Sequence, residues 1–477
     1  MASFKLVFIQ KCITILFEKV FNLKLQTTFA VMIVSLQFGI SGCQTDSDVK
    51  IKTPNIVFIV ADDLGVHQLG CYGSTYYETP NIDGLAENGI KFTNAYAAAT
   101  VCSPTRASIL TGKYPARLHL TDYIPGKTKL GEKLKVPEWR KYLSEDEVTI
   151  AEVLKRAGYV TGHFGKWHLN IDKKYERGRS GDPGSQGFDD VLTTHKPGAG
   201  PESKYENDKH HVKEITQRAL DFIEKNQKNK FFCYIPHNTI HAPEIEDKLL
   251  VEKYENKKGS KKGGHNNPVQ AAMLETLDNS VAKILAKLKE LNLEENTILI
   301  FYSDNGQLGD KNGKPFRGSK GDLYEGGIRM PLIIYWPGTV VPGMLSEELV
   351  ISNDFFPTFS ELANVKIKSK NDGISLLPII KNPEAKINRN TLYWHYPHYH
   401  GTGLGPQGAI REGKYKLVEW FENSIDNEKG AFELYDLLAD PGEQNNLVDS
   451  LPQVSSRLLN KLKTWRSNVG AQEMVKN

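Results

Sequence analysis

Apolar residues along this chain gather into a few dense runs, and each run stops at ionisable side chains. Asn55-Ile56-Val57-Phe58-Ile59-Val60-Ala61 ends in Asp62-Asp63. A continuous β-branched and aromatic run of this length predicts a strand buried on both faces of a parallel sheet. Thr297–Tyr302 repeats the pattern and ends in Ser303-Asp304-Asn305-Gly306. Lys230–Ile235 ends just before His237 and His241, and Tyr159–Phe164 leads into Gly165-Lys166-Trp167-His168.

Between these runs the spacing changes. Ile150–Ala157, Val212–Lys225 and Ala271–Leu291 carry apolar residues three and four apart, the period of a helix packed on one side. Strands alternating with helices predict an α/β fold: a large domain with a mostly parallel, mixed sheet flanked by helices. Ligands bind such sheets beyond the carboxyl ends of the strands, where all four runs deliver their polar residues. After about residue 365 the elements shorten. Thr391–Tyr396, Gly408–Arg411, Tyr415–Trp420 and Glu433–Tyr435 predict a small antiparallel sheet, and Pro452–Arg466 a closing helix. The expected organisation is a large domain over 53–365 and a C-terminal α+β subdomain over 366–477. Two units also suit a length of 477 residues, since domains run to about 100–200 residues.

The first residues read as a targeting segment. Lys5, Lys11, Lys19 and Lys24 precede the apolar stretch Phe29–Leu36, which falls short of the ~20 residues that span a bilayer. Ile40-Ser41-Gly42-Cys43 follows and resembles a bacterial lipobox. That pattern predicts a signal peptide over 1–42, a lipid on Cys43 and a tether over 43–52. The protein is then expected to be exported and lipid-anchored, in the periplasm or on the outer surface of a bacterium. It would meet the membrane only through that lipid. Residues 1–42 hold four lysines and Glu18; the whole chain has 60 basic and 57 acidic residues, so 56 of each remain after cleavage. A neutral chain offers no generally basic surface. No nucleic-acid partner is expected, and an anionic substrate must be held by a local pocket. Of the five cysteines, Cys12 leaves with the signal and Cys43 takes the lipid. Cys71 and Cys233 are expected as buried thiols, since two cysteines make no disulfide framework. The basic loop Lys257–Lys262 reads as a solvated surface loop.

Candidate chemistry sharpens the picture. Asp62, Asp63, Asp304 and Asn305 are hard oxygen donors at two strand ends, with no His/Cys cluster of zinc spacing beside them. Such a set suits a divalent cation, calcium ahead of magnesium. Cys102-Ser103-Pro104-Thr105-Arg106 opens a helix-like stretch that Gly112 would stop. Ser103 reads as the N-cap and Pro104 as the first helical residue. Residue 102 would then lie just ahead of a helix N-terminus, where backbone N–H groups favour an anion. Arg106 follows about one turn later. Lys166, His168, His241 in Ile240-His241-Ala242-Pro243, and Lys320 in Arg317-Gly318-Ser319-Lys320-Gly321 add positive charge and proton carriers.

Taken in order, these blocks resemble the type I, formylglycine-dependent sulfatases of the alkaline phosphatase superfamily. The resemblance runs from Asn55 to about Leu447. Its strongest parts are Ala61–Gly65, the Cys102 pentad, Gly165–Leu169, Ser303–Gly306 and Glu325–Pro331. It implies an alkaline-phosphatase-like large domain, with Glu433–Leu447 in the C-terminal subdomain. It implies oxidation of Cys102 to formylglycine and a calcium site made by Asp62, Asp63, residue 102, Asp304 and Asn305. It also implies hydrolysis of a sulfate monoester. Arg106, Lys166 and Lys320 would hold the sulfate oxygens, and the hydrate at residue 102 would attack sulfur. Asp304 would take its proton, His241 with Lys320 would protonate the departing oxygen, and His168 would remove a second proton as sulfate leaves.

An O-sulfate on a polysaccharide or oligosaccharide is the expected substrate. Tyr393–His400, then Gly401–Gly408, is rich in aromatics, histidine and glycine and suits a sugar-binding wall. His395, His398, His400, His265 and Arg317 are the candidate substrate contacts. Two alternatives use the same residues: a phosphate or phosphonate monoester hydrolase of the same superfamily, and an inactive protein that binds sulfated glycans.

Overall fold

Eight strands build the large sheet: β1 (Asn55–Ala61), β2 (Ile90–Phe92), β3 (Val160–Gly165), β4 (Asp190–Thr193), β5 (Phe231–Pro236), β6 (Thr297–Ser303), β7 (Leu332–Tyr335) and β8 (Met344–Ser346). Their order in space is β8-β2-β7-β6-β1-β5-β3-β4. β1 is flanked on both edges, in parallel, by β5 and β6, so every one of its residues is buried. β7 alone runs antiparallel to its neighbours β2 and β6. The sheet is therefore mixed but mostly parallel. This computed structural model describes residues 53–477 apart from 128–130, 172–173, 262–264, 310–314, 368, 383 and 427. The expected signal peptide, the lipid on Cys43, the tether to residue 52 and the last residue of the Lys257–Lys262 loop lie outside the described residues.

Alternation along β1 sends Ile56, Phe58 and Val60 to one core and Val57 and Ile59 to the other. Helices α1 (Pro80–Glu87), α4 (Val212–Lys225) and α5 (Pro268–Glu290) cover the second face. Helices α2 (Cys102–Thr111), α3 (Ile150–Arg156) and α6 (Phe355–Leu362) cover the first. α4 buries Val212, Ile215, Thr216, Ala219, Phe222 and Ile223, the one-sided stripe its spacing predicts. Each fully buried large apolar side chain contributes roughly 1.5–3 kcal/mol, so the two faces together dominate stability. α5 begins three residues earlier than periodicity indicates, because Asn267 caps Val269 and Gln270 and Pro268 takes the first helical position.

The second sheet is antiparallel: β9 (Thr391–Tyr396), β10 (Gln407–Glu412), β11 (Tyr415–Trp420) and β12 (Phe432–Asp436). Helix α7 (Pro452–Val469) packs on it through Leu458, Leu462 and Trp465. The same cluster takes in Tyr96, Val101, Tyr324 and Ile328, and Trp394 donates to the Ala97 carbonyl at 2.8 Å. Both sheets thus belong to one compact unit, Thr53–Asn477. Cys71 and Cys233 are free thiols. Cys233 is buried as expected, but Cys71 is only half-buried, because it sits in a short helical turn at the sheet's periphery. Among the described residues no helix is long and apolar enough to cross a membrane.

Candidate active site

The parallel register of β1 and β6 pairs Ala61 with Ser303. The polar residues beyond each strand are thereby brought side by side. Asp63 N donates to Asp304 Oδ1 at 3.3 Å and Leu64 N to Ser303 Oγ at 3.1 Å. Asp63 adopts the left-handed region, φ 63°, which among non-glycine residues favours Asn, Asp and His. Gly306 is required here, since a Cβ on it would stand 1.9 Å from the Gly326 carbonyl. β5 ends next door, and the chain after it folds back onto β1: Asp62 N donates to Thr239 O, and Ile240 N to Asp62 O. That turn brings His241 Nε2 to 3.7 Å from Asp63 Oδ2.

Cys102 faces these carboxylates. Its Sγ lies 3.4 Å from Asp62 Oδ1 and 3.9 Å from Asp63 Oδ1. One expectation is corrected: Cys102 is itself the first residue of α2, and Val101 is the cap residue. Ser103 Oγ is not a cap, because it accepts from Ile124 N at 3.0 Å. Gly112 does end the helix in the left-handed conformation. Burial pushes the Cys102 thiol up to about 12, so it is not a thiolate at neutral pH.

Three cations close the floor. Arg106 grips Asp304 Oδ2 through Nε and Nη2 at 2.9 and 2.7 Å and donates to the Lys166 carbonyl at 3.0 Å. Lys166 Nζ lies 2.6 Å from Asp62 Oδ2. Lys320 Nζ lies 2.7 Å from Asp63 Oδ1 and 3.4 Å from Cys102 Sγ. Burial alone would raise the Asp62 carboxyl, yet Lys166 and Arg106 hold it well below its usual range. Asp304 goes the other way. Burial and the charge of Asp62 raise it to about 6, against the pull of Arg106.

The two histidines stay neutral. Burial lowers His241 to about 4 and, with Lys166, holds His168 well below its ordinary value. His168 has φ 56° and Nε2 2.6 Å from the Ile124 carbonyl. Nε2 must donate there, which leaves Nδ1 basic, and Nδ1 is buried with no hydrogen-bond partner. His241 Nδ1 donates to the Ala242 carbonyl at 2.5 Å, which leaves its Nε2 facing Asp63.

The donor set fits a metal ion. Ligand atoms of Asp62, Asp63, Cys102 and His241 all lie within 4.8 Å of one another. Asn305 Nδ2 donates to Asp63 Oδ1 at 2.7 Å, while Asn305 Oδ1 is buried and unpartnered. A buried carbonyl oxygen without a donor, beside crowded carboxylates, is what a hard cation satisfies. His241 joins this cluster, although its sequence context marks it only as a proton carrier.

A cavity of about 600 Å³ opens above these groups, lined by Cys102, Lys166, His168, His241 and Lys320. A wider groove of about 890 Å³ along α7 and Tyr393 holds none of them. Of the five candidate substrate contacts, His400 lines the cavity and the other four do not. His395 turns away to the Gln472 carbonyl at 2.8 Å, against Phe421. His398 is buried with Nε2 2.7 Å from Thr121 Oγ1. His265 stacks on His67 at 4.5 Å. Arg317 lies over the Tyr324 ring and donates to Tyr435 Oη and the Glu443 carbonyl. The structure does not bring these four into the cavity, and each has internal polar or aromatic partners. Sequence reading missed Tyr123, Lys127, Lys196 and Asn238, which do line the cavity. They sit in loops without periodicity or pairing, so no local signal marked them.

The chain matches known proteins over most of its length. The family model described as Sulfatase matches residues 54–365, and one described as N-sulphoglucosamine sulphohydrolase, C-terminal, matches 319–468. The chain is 32% identical to a protein named Sulfatase from Formosa agariphila, covering 89% of this chain and 91% of the relative. It is 31% identical to arylsulfatase A of Homo sapiens, covering 86% and 87%. It is 29% identical to an N-acetylgalactosamine-6-O-sulfatase of Bacteroides thetaiotaomicron, covering 89% and 97%. Among solved structures, Ps i-CgsB in complex with k-i-k-neocarrahexaose superposes with a TM-score of 0.72 at 25% identity, covering 87% of this chain and 93% of that one.

Proposed function

The chain belongs to the sulfatase family and is a sulfuric ester hydrolase, and from that premise we propose that it removes an O-sulfate from a sulfated polysaccharide or oligosaccharide. Neither alternative reading is favoured, since the named relatives are sulfatases. The observation that carries the proposal is the cluster of Asp62, Asp63, Cys102 and His241, ringed by Arg106, Lys166 and Lys320 beneath one cavity. The carbohydrate substrate is supported by a relative named N-acetylgalactosamine-6-O-sulfatase and by a structural neighbour solved with k-i-k-neocarrahexaose.

In this reading Asp62, Asp63, Asp304 and Asn305 hold a divalent ion, calcium ahead of magnesium, with residue 102 beside it. The ion supplies charge against the sulfate oxygens. Residue 102, matured from cysteine to formylglycine, supplies a hydrated aldehyde as nucleophile. The remaining work falls to the chain's own side chains. Lys166 and Lys320 aim fixed positive charge into the cavity, where a sulfate group gains most from it. Arg106 holds Asp304 in place and adds its charge from below. Asp304 is assigned the proton that the nucleophile gives up. His168 has its basic Nδ1 buried at the cavity wall and accepts the second proton. Lys320, with His241 beside it, is assigned the proton that the departing oxygen takes up. The division into a catalytic region over 53–365 and a C-terminal region over 366–477 belongs to the same reading. So does export as a lipoprotein through Cys43.

The test is direct. Enzyme purified from its native host is expected to release inorganic sulfate from sulfated oligosaccharides. Its residue-102 peptide should be about 18 Da lighter than the cysteine form, because an aldehyde replaces the thiol. Replacement of Cys102 by alanine should abolish release. Equal release by the two proteins would overturn the proposal.

A further inference from the structure

The cations at the cavity floor are neutralised within the protein: Lys166 by Asp62, Lys320 by Asp63 and Arg106 by Asp304. The same cavity is lined by two further lysines, Lys127 and Lys196. They come from unrelated segments, one following Pro125-Gly126 and the other following β4. Both are exposed. Among the described residues neither has a carboxylate partner or a side-chain hydrogen bond. The one acid among the described lining residues, Asp182, is already engaged by Arg179 and Asn170.

Positive charge without a counter-charge is unfavourable in a cavity that already holds Lys166 and Lys320. An anion arriving with the substrate would relieve this. The volume allows it: about 600 Å³ lies within the ~300–1,000 Å³ that encloses a whole small ligand, far more than one sulfate group fills. Tyr123 and His400 meet edge-on at 5.3 Å and line the same space, giving a sugar ring an aromatic wall.

We infer that Lys127 and Lys196 form a second anion subsite, so that the preferred substrate carries another negative group, a sulfate ester or a sugar carboxylate, besides the sulfate that is cleaved. This rests on the sulfated-saccharide reading above. A lysine is a point charge on a flexible stem, so either anion satisfies it.

Calorimetric binding to the full chain tests this, in a Cys102→Ser background so that bound saccharide is not consumed. The probes are N-acetylgalactosamine 6-sulfate, N-acetylgalactosamine 4,6-disulfate, and a uronic acid–N-acetylgalactosamine 6-sulfate disaccharide. At least one doubly charged probe should bind about ten-fold tighter than the singly charged one, as a charge-assisted contact allows. Preference for the disulfate identifies a sulfate as the second anion, and preference for the disaccharide identifies a carboxylate. In the Lys127→Gln/Lys196→Gln double variant the advantage should shrink to less than about three-fold. Probes that bind alike or not at all, or an advantage that survives in the double variant, would overturn the inference. Sulfate release by protein with residue 102 intact is measured separately: its loss counts against the hydrolase reading, and a missing charge preference counts only against the subsite.

Discussion

Two of the buried charge clusters among the described residues differ in their surroundings: the one at the strand ends opens on a cavity, and the one at the seam does not line it. At the strand ends, Asp62, Asp63 and Asp304 face Lys166, Lys320 and Arg106. At the seam with the antiparallel sheet, Lys416 sits between Glu325 and Glu443 at 3.0 and 2.9 Å. All three of those side chains have no exposed surface. Glu325 also accepts from Tyr96 Oη at 2.6 Å, and Glu443 accepts from Glu325 N at 2.7 Å. The seam cluster is closed around its lysine. The strand-end cluster keeps a buried amide oxygen, Asn305 Oδ1, without a donor, and shares its cavity with Cys102. Buried ion pairing therefore does not mark a site by itself. What sets the strand-end cluster apart is the cavity above it and the thiol of Cys102 within it.

The comparison breaks most sharply under chelation. Stripping divalent ions should cut sulfate release by on the order of 10³-fold or more, since a metal contributes several kcal/mol of charge stabilisation, and calcium should restore it. Protein shown metal-free by elemental analysis yet fully active would remove the distinction between the clusters. Lys320→Met comes next. Losing one fixed donor at the reacting group should lower kcat by about 10²–10³-fold, read on folded protein by steady-state sulfate release.

At the seam the same kind of substitution should act on folding instead. Lys416→Met leaves Glu325 and Glu443 buried and facing each other without their cation. Breaking a buried pair in this way costs about 3–5 kcal/mol, to be read as a lowered denaturant midpoint at constant slope. The kcat of the molecules that remain folded should stay within about two-fold, since Lys416 is not among the residues lining the cavity. A large loss of kcat with unchanged stability would mean that the seam takes part in catalysis.

The two clusters are unequally legible in the sequence. Asp62 and Asp63 come directly after an unbroken apolar run, Asp304 one residue after another, and Lys166 just past the mixed run Val160–Gly165, and a parallel sheet must deliver the residues beyond its strands to one edge. The seam residues lie in Glu325–Pro331 and Glu433–Leu447, which carried the family resemblance without indicating that they contact each other. Lys416 lies within β11, where alternation suggests no special role. The aromatic and histidine block misled for a related reason. His395 and Trp394 face opposite sides of β9, as period-two alternation requires. His395 is covered by the chain at Gln472 and by Phe421. That cover comes from distant residues, and no local pattern announces it. His241 likewise reaches Asp63 only because Thr239 and Ile240 pair with Asp62.

The smallest effect distinguishes the two seam carboxylates by pH. Burial raises Glu443 to about 7 from its ordinary 4.5, more than Lys416 lowers it, with Glu325 adding to the rise. Burial also opposes ionisation of Glu325, but Lys416 and Arg329 outweigh it and hold that group at about 2. Between pH 4.5 and 7 the native chain keeps a proton on Glu443 that the unfolded chain releases. Stability from this group must therefore fall as pH rises through that window and level off above it. Glu325 has the opposite sign: its contribution is present above pH 4.5 and is lost as pH falls toward 2. Glu443→Gln removes only the first dependence. Relative to the wild type, the variant should gain on the order of 1–3 kcal/mol between pH 5 and 8, read from urea unfolding at each pH. Parallel curves for the two proteins would mean that Glu443 is already ionised in the native seam and that Lys416 neutralises both carboxylates equally.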